Sequence, residues 1–187
     1  MQPILYSNGL TLCPATSVSL DDFWRLLNHP DVRRYLCDDT EMSRNDVACL
    51  LHDALEQGRR GLGLWAIRRD ETTMGYVALR PVLDGAVAVA PELGGMIEPV
   101  IALNPVHWRR GHAMAAMTAV LQYAFDTLRY PALAALVDVP NQDSHRLMQR
   151  LGFTAIGVIP GPRYAIRQYR LSPSGFAARF GEPAAKP

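Results

Sequence analysis

Residues 98–128 read EPVIALNPVHWRRGHAMAAMTAVLQYAFDTL. The apolar run Val100-Ile101-Ala102-Leu103 has the composition of a buried strand, and the strand is assigned to Glu98–Leu103. Asn104-Pro105-Val106-His107-Trp108 is a turn, and Arg109-Arg110-Gly111-His112-Ala113 leads out of it. Beyond that, Met114, Met117, Leu121, Ala124, Phe125 and Leu128 recur at intervals of three and four, which paints one face of a helix. The unit is a strand, a basic glycine-bearing turn and a helix.

Such a turn has a physical use. The first N–H groups of a helix have no intrahelical acceptor, and the helix dipole places partial positive charge there. A glycine admits an anion close to the backbone, and two arginines add charge, so phosphate is a natural ligand. The same pattern also suits a solvated basic helix start on any α/β protein.

The chain has 187 residues, enough for one domain with a sizeable core. Hydrophobic residues make up 49% and charged residues 20%, the balance of a soluble globular protein. A net charge of +1 gives no bulk attraction to nucleic acid or to an anionic membrane. Cys13, Cys37 and Cys49 show no metal-ligand spacing, so no metal is expected, and so sparse an odd set suits reduced thiols in the cytoplasm. The N-terminus lacks a basic region followed by an apolar run, and no segment reaches the ~18 apolar residues of a membrane span.

Taken in order, Leu10-Thr11-Leu12 reads as the first strand. Ser19 with Asp22, and Ser43 with Asp46, read as capping boxes opening two helices. The second helix carries Val47, Leu50, Leu51, Ala54 and Leu55 on its apolar face, with Gly58 at its C′ position. A short helical turn over 31–36 lies between them. Leu64–Arg69 and Met74–Val82 form a hairpin, and Gly75 marks a bulge or a close approach. Residues 83–96 read as a long irregular loop, with Ala86–Ala90 as an optional short strand. Downstream come a strand over Ala134–Val139, a turn, a helix closed by Gly152, and strands over Phe153–Ile159 and Arg163–Leu171. The tail 182–187 is Pro- and Ala-rich and is expected to be disordered.

Two motifs now stand in order. Pro105-x-x-Trp108-Arg109-Arg110-Gly111-His112-Ala113 follows one strand. Asn141-x-x-Ser144, with Leu151-Gly152-Phe153 at the end of its helix, follows another. Together they resemble the acyl-CoA pyrophosphate loop and the downstream signature of the GNAT acetyltransferase superfamily. The Trp, and the Pro three residues before it, resemble the branch of ribosomal-protein N-terminal (alanine/serine) acetyltransferases. The resemblance covers nearly the whole chain, with 83–96 the poorest part. It implies a single α/β (α+β) domain over 1–181: a mixed, largely antiparallel sheet splayed at the acyl-donor site and flanked by helices.

The resemblance also implies roles. Acetyl-CoA is the co-substrate and no metal is needed. Its diphosphate lies on the N–H groups of Arg110 to Ala115, within a loop of Trp108, Arg109, Arg110, Gly111, His112, Ala113, Met114 and Ala115. The pantetheine arm runs along Ile101, Ala102 and Leu103 as a pseudo-strand. Asn141 bonds the arm or caps its helix. The acceptor is an amine, a protein N-terminus or a small molecule, and a homodimer is open. Glu98, seven residues before Pro105, is the first general-base candidate, with Glu92 next. Relatives often carry a Tyr acid four residues before the glycine of Gly152-Phe153; here Met148 stands there, leaving Ser144 or water. With no cysteine in the motifs, direct transfer in a ternary complex is expected. The rival is a non-catalytic acyl-CoA sensor on the same fold. Trp24 and Trp65 are expected in the core, His107 and His112 in solvent near the loop, and His145 in a structural role. Arg146 and Arg150 suit either the 3′-phosphate or a solvated face.

Overall fold

The computed structural model describes residues 2–181; the tail expected to be disordered lies outside the described residues. Apolar alternation builds the first strands: β1 (Leu5–Ser7), β2 (Leu10–Pro14), β3 (Gly63–Arg69) and β4 (Thr72–Pro81) pair antiparallel in sequence order. β5 (Ile97–Leu103), β6 (Leu133–Asp138), β7 (Thr154–Ile159) and β8 (Ile166–Leu171) complete an eight-stranded sheet in the order β1-β2-β3-β4-β5-β6-β8-β7. β8 inserts antiparallel between β6 and β7, whereas β5 meets β6 in parallel. The sheet is therefore mixed and mostly antiparallel. Between β5 and β6 the ladder is a single pair, Ile97 with Leu133.

The chain forms two compact units. The first runs to Arg80 and takes in Pro99–Val120; the second is Pro81–Glu98 and the chain from Leu121 onward. In the first, helices α1 (Leu20–Leu27), α2 (Pro30–Leu36) and α3 (Arg44–Gly58) cover one sheet face. Phe23, Leu26, Val32 and Val47 pack there on Leu64, Ala66 and Tyr76. Leu12, Trp65, Ile67 and Val77 point to the other face and are also buried. In the second unit, α4 (Asp84–Val89) contributes Val87 to a core with Val82, Leu93 and Ala134. α6 (Gln142–Leu151) and α7 (Pro173–Phe180) complete that unit. α5 (His112–Asp126) spans both. It is buried over most of its circumference rather than on one stripe: Ala115, Ala119 and Tyr123 are buried as well as Ala116, Val120 and Leu121, and Gln122 is exposed.

Several expectations change. β1 precedes the expected first strand, joined to β2 by Asn8-Gly9, both in the left-handed region. Ser43 and Asp46 form a true reciprocal box, but at Ser19 the partner Asp22 turns to Arg25. Leu50 and Leu55 are exposed and Gly58 lies within the last turn of α3, so that apolar face is narrower than its sequence suggests. The expected loop 83–96 is ordered as α4 and a 3-10 turn at Pro91–Leu93, with Leu93 fully buried. Ala86–Ala90 is helix and helix end, not strand. Sequence periodicity could not show this, because a six-residue helix has too few turns to establish a period. α7 was also unforeseen; Ser172 caps it through the Gly175 N–H.

Gly75 is a close approach as well as a bulge. The register slips beside Ile67, and a Cβ added at Gly75 would lie 2.2 Å from the Ala102 carbonyl oxygen and 2.7 Å from Leu103 Cα. Gly75→Ala is expected to cost about 2–3 kcal/mol of stability. Gly85→Ala, on α4 with nothing within 4 Å, should gain roughly 0.5–1 kcal/mol. Urea unfolding of the two variants checks the contrast.

Candidate active site

The site begins where β5 ends. The Asn104 N–H donates to Met74 O at 2.9 Å, holding the end of β5 on β4. Asn104 then accepts from the Val106 N–H, shaping the 3-10 turn Pro105–His107. Trp108 folds back, and its indole N–H donates to the Leu103 carbonyl at 2.7 Å. The ring is 38% exposed, so it forms the rim of the loop and not a core anchor.

The next residues reverse the chain. Arg109 has φ +60° and Gly111 φ +82°, with Arg110 on the ordinary side between them. Alternation of this kind points successive N–H groups toward one concavity, the nest that binds anions. Nothing lies within 4 Å of a Cβ added at Gly111, so the space above it is open. Ala115 N–H donates to Gly111 O at 3.0 Å, the first turn of α5. That corrects one expectation: the Ala115 N–H is engaged, and the residue is buried. The N–H groups of His112, Ala113 and Met114 precede the first α5 bond and have no acceptor in their own helix.

Charge follows the same geometry. Arg109 and Arg110 are exposed and have no carboxylate partner among the described residues. Elsewhere in the unit Arg25, Arg33, Arg44 and Arg59 each face one. His112 departs from expectation: it is only 8% exposed, under the loop, with its ring 6.5 Å from that of His107. Burial, and then the positive charges of Arg69, His107 and Arg110, hold its pKa below the usual histidine range. A neutral imidazole sits at the foot of a cationic loop.

The other expected residues fall as follows. Ile101 is half-buried, Ala102 and Leu103 are buried, and Ala113 and Met114 are half-buried. These and the loop belong to the first unit; Glu98, Asn141 and Ser144 belong to the second. Glu98 is a carboxylate only 4% exposed at the start of β5, where an apolar residue would be ordinary. Asn141 accepts from the Ser144 N–H at 3.2 Å, so its side-chain oxygen caps α6 while its amide NH2 remains for other partners. Glu92 is exposed and accepts from the buried Gln168 at 3.4 Å. Met148 is buried in the second unit. Arg146 is committed to Asp143 on the helix surface. Among the described residues, no group of His, Cys, Asp or Glu could hold a metal ion, and no helix is long and apolar enough to cross a membrane.

One arrangement escaped the sequence. His145 Nε2 meets Val139 O at 3.1 Å, and Nδ1 meets the Tyr169 hydroxyl at 2.9 Å. A carbonyl only accepts, so Nε2 carries the proton and Nδ1 accepts from Tyr169. The pair pins the turn that presents Asn141. Burial raises the Tyr169 pKa, so this hydroxyl stays protonated as the donor.

A family model described as an acetyltransferase (GNAT) domain matches residues 9–154, well over half of the chain. The chain belongs to the GNAT acetyltransferase family. Among curated proteins, this GNAT chain is similar to the uncharacterized N-acetyltransferase YoaA of Bacillus subtilis (strain 168), 29% identical over 166 residues, which are 85% of this chain and 87% of that protein. Among solved structures it is similar to spermidine N-acetyltransferase from Vibrio cholerae in complex with CoA and spermine. That match has 18% identity, covers 90% of this chain and 98% of that one, and has a TM-score of 0.72. It is similar also to RimL, a ribosomal L7/L12 α-N-protein acetyltransferase in complex with coenzyme A (13% identity, 91% and 98% covered, TM-score 0.72). At these identities the likeness is one of fold, and the expected GNAT fold is the one observed.

The depressed pKa of His112 has a pH signature. Between its folded value and the unfolded ~6.5, the folded state binds fewer protons than the unfolded chain. The His112 share of stability is therefore intact above ~6.5 and falls as the pH drops through that value toward the folded pKa. His112→Gln should lose less stability than the wild type between pH 7.5 and 5.5, measured by urea unfolding at both pH values.

Proposed function

We propose that residues 1–181 form one acetyl-CoA-dependent N-acetyltransferase domain that moves the acetyl group to a primary amine by direct attack. The observation that carries this reading is the loop over 109–111: two left-handed residues at the start of α5, open space above Gly111, and two unmatched arginines. Its residues suit a diphosphate, and both CoA-bound neighbours share the fold.

The single β5–β6 pair supports a place for the pantetheine arm. β6 pairs with β8 over its whole length, whereas its ladder to β5 holds only Leu133. Ala134–Val137 thus form a stretch without a β5 ladder, suited to an extended arm. Asn141, held by the cap and the His145 turn, has NH2 donors for the arm's amides.

In the reaction, the amine nitrogen attacks the thioester carbonyl carbon and the C–S bond breaks. The acetyl group ends as an amide and the sulfur leaves as the thiol. Glu98 takes a proton from the incoming ammonium, which leaves the neutral amine that attacks, and a buried carboxylate is suited to that task. Met148 has no proton to give, so Ser144 or water protonates the sulfur.

For the acceptor, the reading is a protein α-amine. An α-amine has a pKa near ~7.7–8.0, against ~10.4 for a lysine-type amine, and is far more often neutral at pH 7. A cytoplasmic setting suits this acceptor. The sensor reading draws on Met148 alone.

Thiol release from acetyl-CoA should be fastest with peptides bearing a free N-terminus and slow with spermine. Glu98→Gln should lower kcat about 10²-fold or more while CoA still raises the Tm. A Tm shift with no thiol release on any amine would instead favour the sensor.

A further inference from the structure

The arginines that the loop motif names are Arg109 and Arg110. The fold brings a third cation to the same end of this unit from a distant part of the chain. Arg69 is the last residue of β3, opposite Thr72 across the β3–β4 hairpin. Strand alternation puts it on the face of Trp65 and Ile67, opposite to the face covered by α1, α2 and α3. The hairpin is tied to the start of the loop: Met74, two residues into β4 from Thr72, accepts the Asn104 N–H, and Gly75 packs against Ala102 and Leu103.

The side chain of Arg69 is exposed and lies across the β1–β2 turn. Its Nη2 is 3.5 Å from the position a Cβ would take at Gly9. Its neighbour Arg68 takes the hairpin's carboxylate, with Nη2 3.2 Å from Glu71 Oε2. Arg69 has no carboxylate partner among the described residues. Three arginines without a carboxylate partner among the described residues therefore share one end of this unit, where His112 is only 8% exposed. Unrelieved repulsion among like charges has a cost that an anion would remove. The lowered pKa of His112, to which Arg69 contributes the largest charge effect, agrees with this placement.

We propose that Arg69 binds a phosphate group of the acyl donor, acting with Arg109 and Arg110 as the third cation of the site. This rests on the acetyl-CoA reading above. The chemistry recognised is a phosphate dianion or a diphosphate. CoA has both, one on the ribose and one in the chain, and a guanidinium suits either.

The test is calorimetric titration of the full-length protein with CoA, dephospho-CoA and pantetheine, for the wild type, Arg69→Gln and Arg69→Lys. Arg69→Gln should raise the Kd for CoA about 5- to 20-fold and make it less sensitive to added salt, while Arg69→Lys recovers most of the affinity. A purely structural Arg69 would not give that shallower salt dependence. Loss on CoA with dephospho-CoA unchanged places Arg69 on the ribose phosphate; loss on both places it on the diphosphate. Wild-type binding with an unchanged Kd and salt dependence in Arg69→Gln overturns this proposal and leaves the acetyl-CoA reading standing. A wild type that binds no CoA overturns both.

Discussion

The indole N–H of Trp108 and the Leu103 carbonyl form the hydrogen bond on which the site depends. β5 has to stop, the chain has to reverse, and a helix has to start with its N–H groups facing outward, all within a few residues. Trp108 ties the turn to the strand end at 2.7 Å, and Gly75 lets β4 approach that strand end closely enough to hold it. With both ends of the turn anchored, Arg109 is held in the left-handed region. That conformation costs a residue with a Cβ of order 1 kcal/mol, so it persists only where surrounding contacts impose it. The strained residue is one of the two that give the nest its shape.

Electrostatics then reinforces the geometry. Elsewhere in the first unit Arg25, Arg33, Arg44 and Arg68 are paired with carboxylates. At the loop Arg109 and Arg110 have no such partner among the described residues, and they stand beside the positive end of the long helix α5. Burial and this field keep His112 neutral. The result is a concentration of positive charge on a chain with a net charge of only +1, the kind of local field that attracts anions.

The second unit does quieter work. His145 uses both ring nitrogens, one on the Val139 backbone and one on Tyr169, and so fixes the turn that presents Asn141. Asn141 in turn caps α6 through its side-chain oxygen, which leaves its NH2 group out of the cap. The ordered segment from α4 to Leu93 closes the core of this unit, with Glu92 held at its surface by Gln168.

Much of this was legible in the chain. Motif order, the strand–turn–helix unit, the Ser43–Asp46 box and the cap at Asn141 are local: each depends on residues a few positions apart, and local chemistry decides local structure. The branch-like Pro105 and Trp108 could be read, but not what Trp108 bonds. Short elements escaped for a physical reason. β1, α4 and α7 have too few residues to show a period, and contacts to the rest of the chain stabilise them. The sequence by itself determined the family, the loop and the helix that follows it. Only the tertiary structure decided that His112 is buried, that His145 locks onto Tyr169, and that Arg69 stands beside a loop some forty residues later in the chain, because those depend on which strands become neighbours and no local pattern encodes that.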